Sequence, residues 1–175
     1  AIEAYMSRIA SPFTEMHSLK AVDLILKHLP TAVASRSLEA LEQLSIASVS
    51  ASMAFSNASL GAEHALAHSL GGQFDMQHGV IHPILLPSFM RFNLPFNAKK
   101  MAELCRVILG RRESSDENTA QAGIKKLEDF FASFNVPRRL GEIIPRQEQA
   151  TLAGISRMAV QDACNLTNAK PATWE

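Results

Sequence analysis

Four of the six histidines fall within nineteen residues, in the stretch Gly61-Ala-Glu-His-Ala-Leu-Ala-His-Ser-Leu-Gly-Gly-Gln-Phe-Asp-Met-Gln-His-Gly-Val-Ile-His82. Imidazole titrates near neutral pH and is a common ligand of zinc, iron and copper, so several of them converging point to metal binding or proton transfer. His64 and His68 stand four residues apart. On a helix that spacing sets both rings on one face, about 6 Å apart along the axis. The residues around them are small or apolar and offer the rings no solvating partner. Spacing alone pairs His64 with His68 as ligands of zinc or iron(II), with His78 or His82 adding a third from the following loop. The carboxylates near in sequence are Glu63 and Asp75. Glu63 is turned about 100° from His64 on a helix and makes a poor co-ligand, so these residues do not complete a site. His17 and His28 each stand alone on a helical pattern and are expected at the surface or its boundary.

Helices must position these rings, because the chain is helical in pattern almost throughout. Residues 1–9 read as the end of a helix, broken at Ser11-Pro12. Thr14 is a cap for a helix from about Glu15 to Ser35, with Met16, Leu19, Val22, Ile25, Leu26 and Leu29 as its buried stripe and Pro30 as a kink or stop. An Ala/Ser-rich helix follows from Ser37 toward Ser56, whose small residues predict close contact on several sides. The histidine segment runs from about Leu60 to Leu70 and ends at Gly71-Gly72. A loop leads to Gly79, and Val80 to Met90 is an apolar segment bounded by Pro83 and Pro87. Asn97 caps a helix that Gly110 stops after Leu109. An amphipathic helix spans Thr119 to Phe134, and a last periodic stretch covers residues 147–163. No alternating β-branched run and no Asn-Gly hairpin signal occurs. The expected fold is all-α: one domain over residues 1–175, built as a compact multi-helix array.

Composition narrows the function classes. Seventeen Lys+Arg balance seventeen Asp+Glu, which leaves no basic footprint for nucleic acid or an anionic membrane. At 6% aromatic residues the chain is poor in base-stacking platforms, and at 47% hydrophobic it is too apolar to be disordered. Cys105 and Cys164 make no disulfide framework and fit a reducing, cytoplasmic compartment. The opening Ala-Ile-Glu-Ala-Tyr reads as mid-helix and uncapped, so the chain is expected to be part of a longer one.

At these residues a family resemblance emerges. Gly61-x-x-His64-x-x-x-His68-x-Leu-Gly-Gly, continuing to His78-Gly79 and Leu85-Leu86-Pro87, resembles the signature of the iron-containing (group III) alcohol dehydrogenases. Three further stretches agree in order along the chain: Ala1-Ile-Glu-Ala-Tyr-Met-Ser with Ser11-Pro12-Phe13-Thr14; Met53-Ala-Phe55-Ser-Asn57-Ala58; and Asp162-Ala-Cys164-Asn-Leu-Thr-Asn168-Ala-Lys-Pro171-Ala-Thr173. The resemblance implies the C-terminal all-α, metal-binding domain of a two-domain NAD(P)-dependent enzyme. The nucleotide-binding domain is absent from this chain, which carries no Gly-rich phosphate loop.

The same resemblance implies roles. The family holds iron, or zinc in some relatives, with one Asp and three His; His64 and His78 match two of these metal ligands. The other two form an Asp-x-x-x-His pair expected just ahead of Ala1. His68 matches not a ligand but a residue beside the nicotinamide that assists substrate binding or proton transfer, which makes it the catalytic and cofactor-contacting residue. Phe55 and Cys164 match positions lining the substrate pocket, and His82 matches no ligand. Gln77 departs from the pattern, since Pro often stands before the last ligand histidine. The implied partners are a small alcohol or aldehyde, the missing domain and further copies of the subunit, with no nucleic acid and no membrane. The isolated chain is expected to be inactive, to bind metal weakly, and to expose an apolar face around Phe55 and Leu70 that self-associates. Two readings compete: a stand-alone helical binding or scaffold domain with a vestigial histidine cluster, and a zinc-dependent relative of glycerol dehydrogenase.

Overall fold

Ser11 and Thr14 start the longest helix by capping each other. The Thr14 N–H donates to Ser11 Oγ (3.4 Å) and the Ser11 N–H donates to Thr14 Oγ1 (2.8 Å). Pro12 fills the first turn, where no N–H is needed. Ser37, Asn97 and Ser115 begin later helices by accepting from the N–H groups of Ala40, Lys100 and Asn118. Gly110 ends one of them at φ 73°, in the left-handed region that glycine adopts without strain.

The computed structural model describes residues 1–173, apart from the side chains of Gln147, Gln149 and Ala150. The order is α1 (Ile2–Met6), α2 (Pro12–Ser35), α3 (Leu38–Ala58), α4 (Ala62–Phe74), α5 (His78–Asn93), α6 (Ala98–Leu109), α7 (Asp116–Ala132) and α8 (Leu152–Gln161), with short 3-10 turns after α5 and around α8. No strand occurs among the described residues, as the sequence predicted. No described helix is long and apolar enough to cross a membrane. The closing Trp174 and Glu175 lie outside the described residues.

The main core joins α1, α2 and α5–α7 through Tyr5, Met6, Val22, Met90, Leu104 and Ile124. A second cluster (Ala67, Leu70, Ile81, Ile144, Ile155) ties α4 and α5 to α8. This cluster explains two departures from the sequence reading. α4 runs through Gly71-Gly72 to Phe74, and α5 contains Pro83 and Pro87 instead of being bounded by them. Burial of Leu70, Ile81 and Met90 outweighs local propensities of about 1 kcal/mol per glycine and about 3 kcal/mol per interior proline. Leu70 is thus 1% exposed, which corrects the expectation that it lies on an open face.

Two further expectations change at α2. The buried face of α2 is built from Thr14, Ser18, Ala21, Val22 and Leu24, while Met16 is exposed. Pro30 does not stop the helix, which continues to Ser35. The small residues of α3 bury one side, through Ala40, Ala47, Ser50 and Ala54, and leave Leu38, Val49 and Met53 outward. α3 packs closely on α2 and also on α1, where Ala54 and Ala58 meet Ala4, so its small residues do serve more than one neighbour.

Candidate functional site

Gly61 precedes α4 and has no side chain to cap it. Residues far away in sequence do so instead. Glu3 Oε1 accepts from the N–H groups of Glu63 (2.9 Å) and His64 (3.4 Å), and Asn168 Oδ1 accepts from the N–H of Ala62 (3.3 Å). A Cβ at position 61 would lie 2.7 Å from Glu3 Oε1 and 2.8 Å from Asn168 Oδ1, so the close approach demands glycine. Asn93 Oδ1 holds this clamp by accepting from Asn168 Nδ2 (3.1 Å) and the Lys170 N–H (2.9 Å). Thr167 Oγ1 donates to Leu60 O (2.8 Å). The opening and closing segments of the chain thereby fix where α4 begins, and with it His64.

His64 and His68 project from α4, and His78 and His82 from the first turns of α5. The four rings meet. Centroids are 5.3 Å apart for His64–His78, 4.6 Å for His64–His82, 4.2 Å for His78–His82, 5.9 Å for His64–His68 and 5.8 Å for His68–His78. One ring nitrogen from each of His64, His78 and His82 lies within 4.8 Å of the others.

Carboxylates stand behind the rings. His64 Nδ1 donates to Glu3 Oε2 in a very short contact and has Glu63 Oε2 3.2 Å away. His82 Nδ1 donates to Glu63 Oε1 at 2.7 Å, and His68 Nδ1 to Asp162 Oδ2 at 2.9 Å. Nδ1 is taken in three of the four rings, which leaves Nε2 as their free nitrogen.

The electrostatics follow. Burial works to push His64 down, but the hydrogen bonds and charges of Glu3 and Glu63 prevail and raise it to about 9. Burial works to push Glu63 up, and the hydrogen bonds of His64 and His82 prevail, holding it below the usual carboxylate range. Among the described residues no carboxylate pairs with His78; burial and the neighbouring imidazoles lower it, favouring the neutral ring that a metal needs. Asp162, which burial works to raise, is held low by the Cys164 N–H (2.8 Å) and by His68. Burial and the adjacent Asp162 push the Cys164 thiol up to about 12, so it is no thiolate at neutral pH.

Of the residues singled out from sequence, the fold brings together His64, His68 and His78, and places Cys164 beside them through Asp162. Phe55 stands in the last turn of α3, 39% exposed, and no ring contact joins it to the imidazoles. His82, which matches no ligand of the resembled family, sits inside the cluster. Sequence reasoning missed the roles of Glu3, Glu63 and Asp162. Glu3 and Asp162 lie in the very segments that carried the resemblance, which was the available signal. Glu63 does face away from the open side of His64, as its helical offset requires, and for that reason it reaches the ring from behind.

The donor set fits a divalent transition metal. Imidazoles oriented by carboxylates on their second nitrogen are the usual surroundings of zinc or iron(II). Glu3 and Glu63 are both buried, with imidazoles and backbone N–H groups as their described partners.

Comparison with known proteins agrees. Residues 1–175 match the model of the Fe-containing alcohol dehydrogenase family, C-terminal part. The chain is 36% identical over 170 residues to a 1,3-propanediol dehydrogenase of Citrobacter freundii, covering 96% of this chain and 43% of that protein. It is 32% identical over 176 residues to an NAD-dependent methanol dehydrogenase of Bacillus methanolicus, covering 99% and 45%. Among solved structures, a 1,3-propanediol oxidoreductase superposes with a TM-score of 0.93 at 33% identity, over 99% of this chain and 45% of that one. An alcohol dehydrogenase from Oenococcus oeni gives 0.92 at 32% identity, over 99% and 45%. The chain spans less than half the length of these relatives.

Proposed function

The chain belongs to the Fe-containing alcohol dehydrogenase family, as its C-terminal part, and from that membership we propose that it is the metal-holding part of an NAD(P)-dependent enzyme interconverting a primary alcohol and an aldehyde. The relatives named for propanediol and methanol support a small, unbranched substrate. The nucleotide-binding part and the remaining metal ligands come, in this reading, from residues outside these 175, and the enzyme works in the cytoplasm as a homo-oligomer.

The observation that carries the proposal is the meeting of His64 from α4 with His78 from α5, 5.3 Å between ring centroids, beside His68 and its carboxylate. His64 and His78 would hold a divalent ion, iron(II) by family or zinc, which would supply Lewis acidity toward the substrate oxygen, the hydride chemistry being that of a nicotinamide when bound. Glu3 fixes the ring plane and tautomer of His64, and a tautomer fixed in advance is what lets a ligand bind without reorganising. His68 moves the proton. Its Nδ1 is committed to Asp162, so Nε2 gives a proton to the oxygen during aldehyde reduction and takes one during alcohol oxidation. Asp162 stabilises the imidazolium that forms in the second case. Cys164, protonated beside Asp162, offers the substrate an uncharged wall, and Phe55 borders the pocket in this reading.

Alanine replacements in the whole enzyme separate the roles. His64→Ala and His78→Ala lose metal and activity together. His68→Ala keeps its metal and loses about 10²–10⁴-fold in kcat, the usual worth of a general acid–base. Metal loss from the His68 variant would overturn this assignment and restore the His64/His68 pair as ligands.

A further inference from the structure

His82 is the one ring of the cluster that the reading above leaves without a task, and it is among the best positioned. We propose that His82 is itself a metal ligand, so that this chain brings three imidazoles, those of His64, His78 and His82, to the ion. The inference rests on the metal-dependent reading, and adds to it a ligand that the family resemblance does not supply.

Three observations carry it. First, His78 and His82 stand four residues apart on α5, so both rings lie on the helix face that meets His64 of α4. Two imidazoles at this spacing from one helix, closed by a third donor from elsewhere, form a common zinc arrangement. Second, the three offered nitrogens already lie within 4.8 Å of one another. Around a tetrahedral ion with bonds of ~2.0–2.1 Å they would stand ~3.4 Å apart. His82 is nearer to both partners than His68 is: 4.6 against 5.9 Å to His64, and 4.2 against 5.8 Å to His78. Third, Glu63 is 1% exposed and its Oε1 accepts from His82 Nδ1 at 2.7 Å. A buried carboxylate on Nδ1 is what fixes a metal-bound imidazole in the tautomer that offers Nε2. One carboxylate thereby serves two rings, since Glu63 Oε2 also lies 3.2 Å from His64 Nδ1.

The bland alternative is that His82 only satisfies Glu63. His82→Asn separates the two roles, because an Asn amide can take the place of Nδ1–H toward Glu63 but offers nothing at Nε2. The probe is Co(II) added to the metal-free 175-residue chain without oxygen, followed by its visible absorption and by calorimetry. The wild-type chain is expected to take up one Co(II) with a tetrahedral-type spectrum. His82→Asn is expected to bind it at least about tenfold more weakly, with an unchanged metal-free melting temperature. Equal affinity and an equal spectrum in His82→Asn would overturn the proposal. No Co(II) uptake by the wild-type chain would overturn it too, leaving the reading with ligands from outside the chain in place; that reading fails separately if His64→Ala or His78→Ala in the whole enzyme keeps its metal. Should His82→Asn fold poorly, 1H–15N spectra of the wild-type chain with and without Zn(II) decide the matter. A coordination shift at His82 Nε2 supports ligation, and an unmoved Nε2 beside shifted His64 and His78 refutes it.

Discussion

His68 and His64 look alike in sequence, one turn apart on α4, and differ in what stands behind them. His68 has one carboxylate, Asp162, in a more exposed place; His64 has two buried ones. This difference, invisible in the spacing, divides the proposed proton carrier from the proposed ligand. Asp162→Asn should keep the metal and lower kcat, because His68 loses the partner that fixes its tautomer; an unchanged kcat would mean that Asp162 only shapes the loop. His64 also makes a prediction about stability. Its folded pKa of about 9 lies above the unfolded value of about 6.5. The stabilisation from its ion pairs is therefore complete below about pH 6.5 and fades as pH climbs toward 9. Thermal melts of the metal-free chain should fall across that window, and His64→Asn should flatten the slope. Melts that rise from pH 6.5 to 9 in the wild type would contradict the pairing.

At the scale of elements, the helix count and the starts at Ser37 and Asn97 were legible, because caps are local and need only an N–H three residues on. α2 starts at Pro12 behind Ser11 instead of at Glu15 behind Thr14, and α7 at Asp116 behind Ser115, three residues before the expected Thr119. The stop of α4 and the start of α5 were not legible either, because Leu70, Ile81 and Ile155 decide them from three different helices. The four histidines were visible as a cluster, but not the cap of α4, which comes from Glu3 and Asn168 across the whole chain. That cap is testable. Gly61→Ala drives a methyl against both carboxyl and amide oxygens, so it should displace Glu3 from His64 and cost roughly 1–3 kcal/mol by overpacking. Chemical denaturation measures the cost, and metal affinity should fall in the same variant. Gly123 likewise lets α7 close on α6, where a Cβ would lie 2.3 Å from Cys105 Cβ. Gly123→Ala should destabilise by a similar amount and leave the geometry of the metal site alone.

At the scale of the whole molecule, α4 and α5 bear the chemistry while α1 and the segment after α8 lock them in place. The chain spans less than half the length of the relatives it resembles, and no Gly-rich phosphate loop occurs in its sequence. The 175-residue chain alone should therefore show no aldehyde-dependent oxidation of NADH or NADPH, even when loaded with iron(II); robust turnover would mean that it carries a nucleotide site of its own. The all-α class was readable from pattern because no competing strand signal arises. The site's chemistry was readable only in outline, since the carboxylates that assign each imidazole its task lie up to 94 residues away. Every proposed role requires that an ion sit between α4 and α5 on His64 and His78. A crystal of the protein grown with Zn(II), measured at the zinc edge, is the sharpest test. An anomalous peak ~2.0–2.1 Å from a ring nitrogen of both residues is expected. A peak held instead by His68, Asp162 and Cys164, or no peak between the two helices, would contradict it.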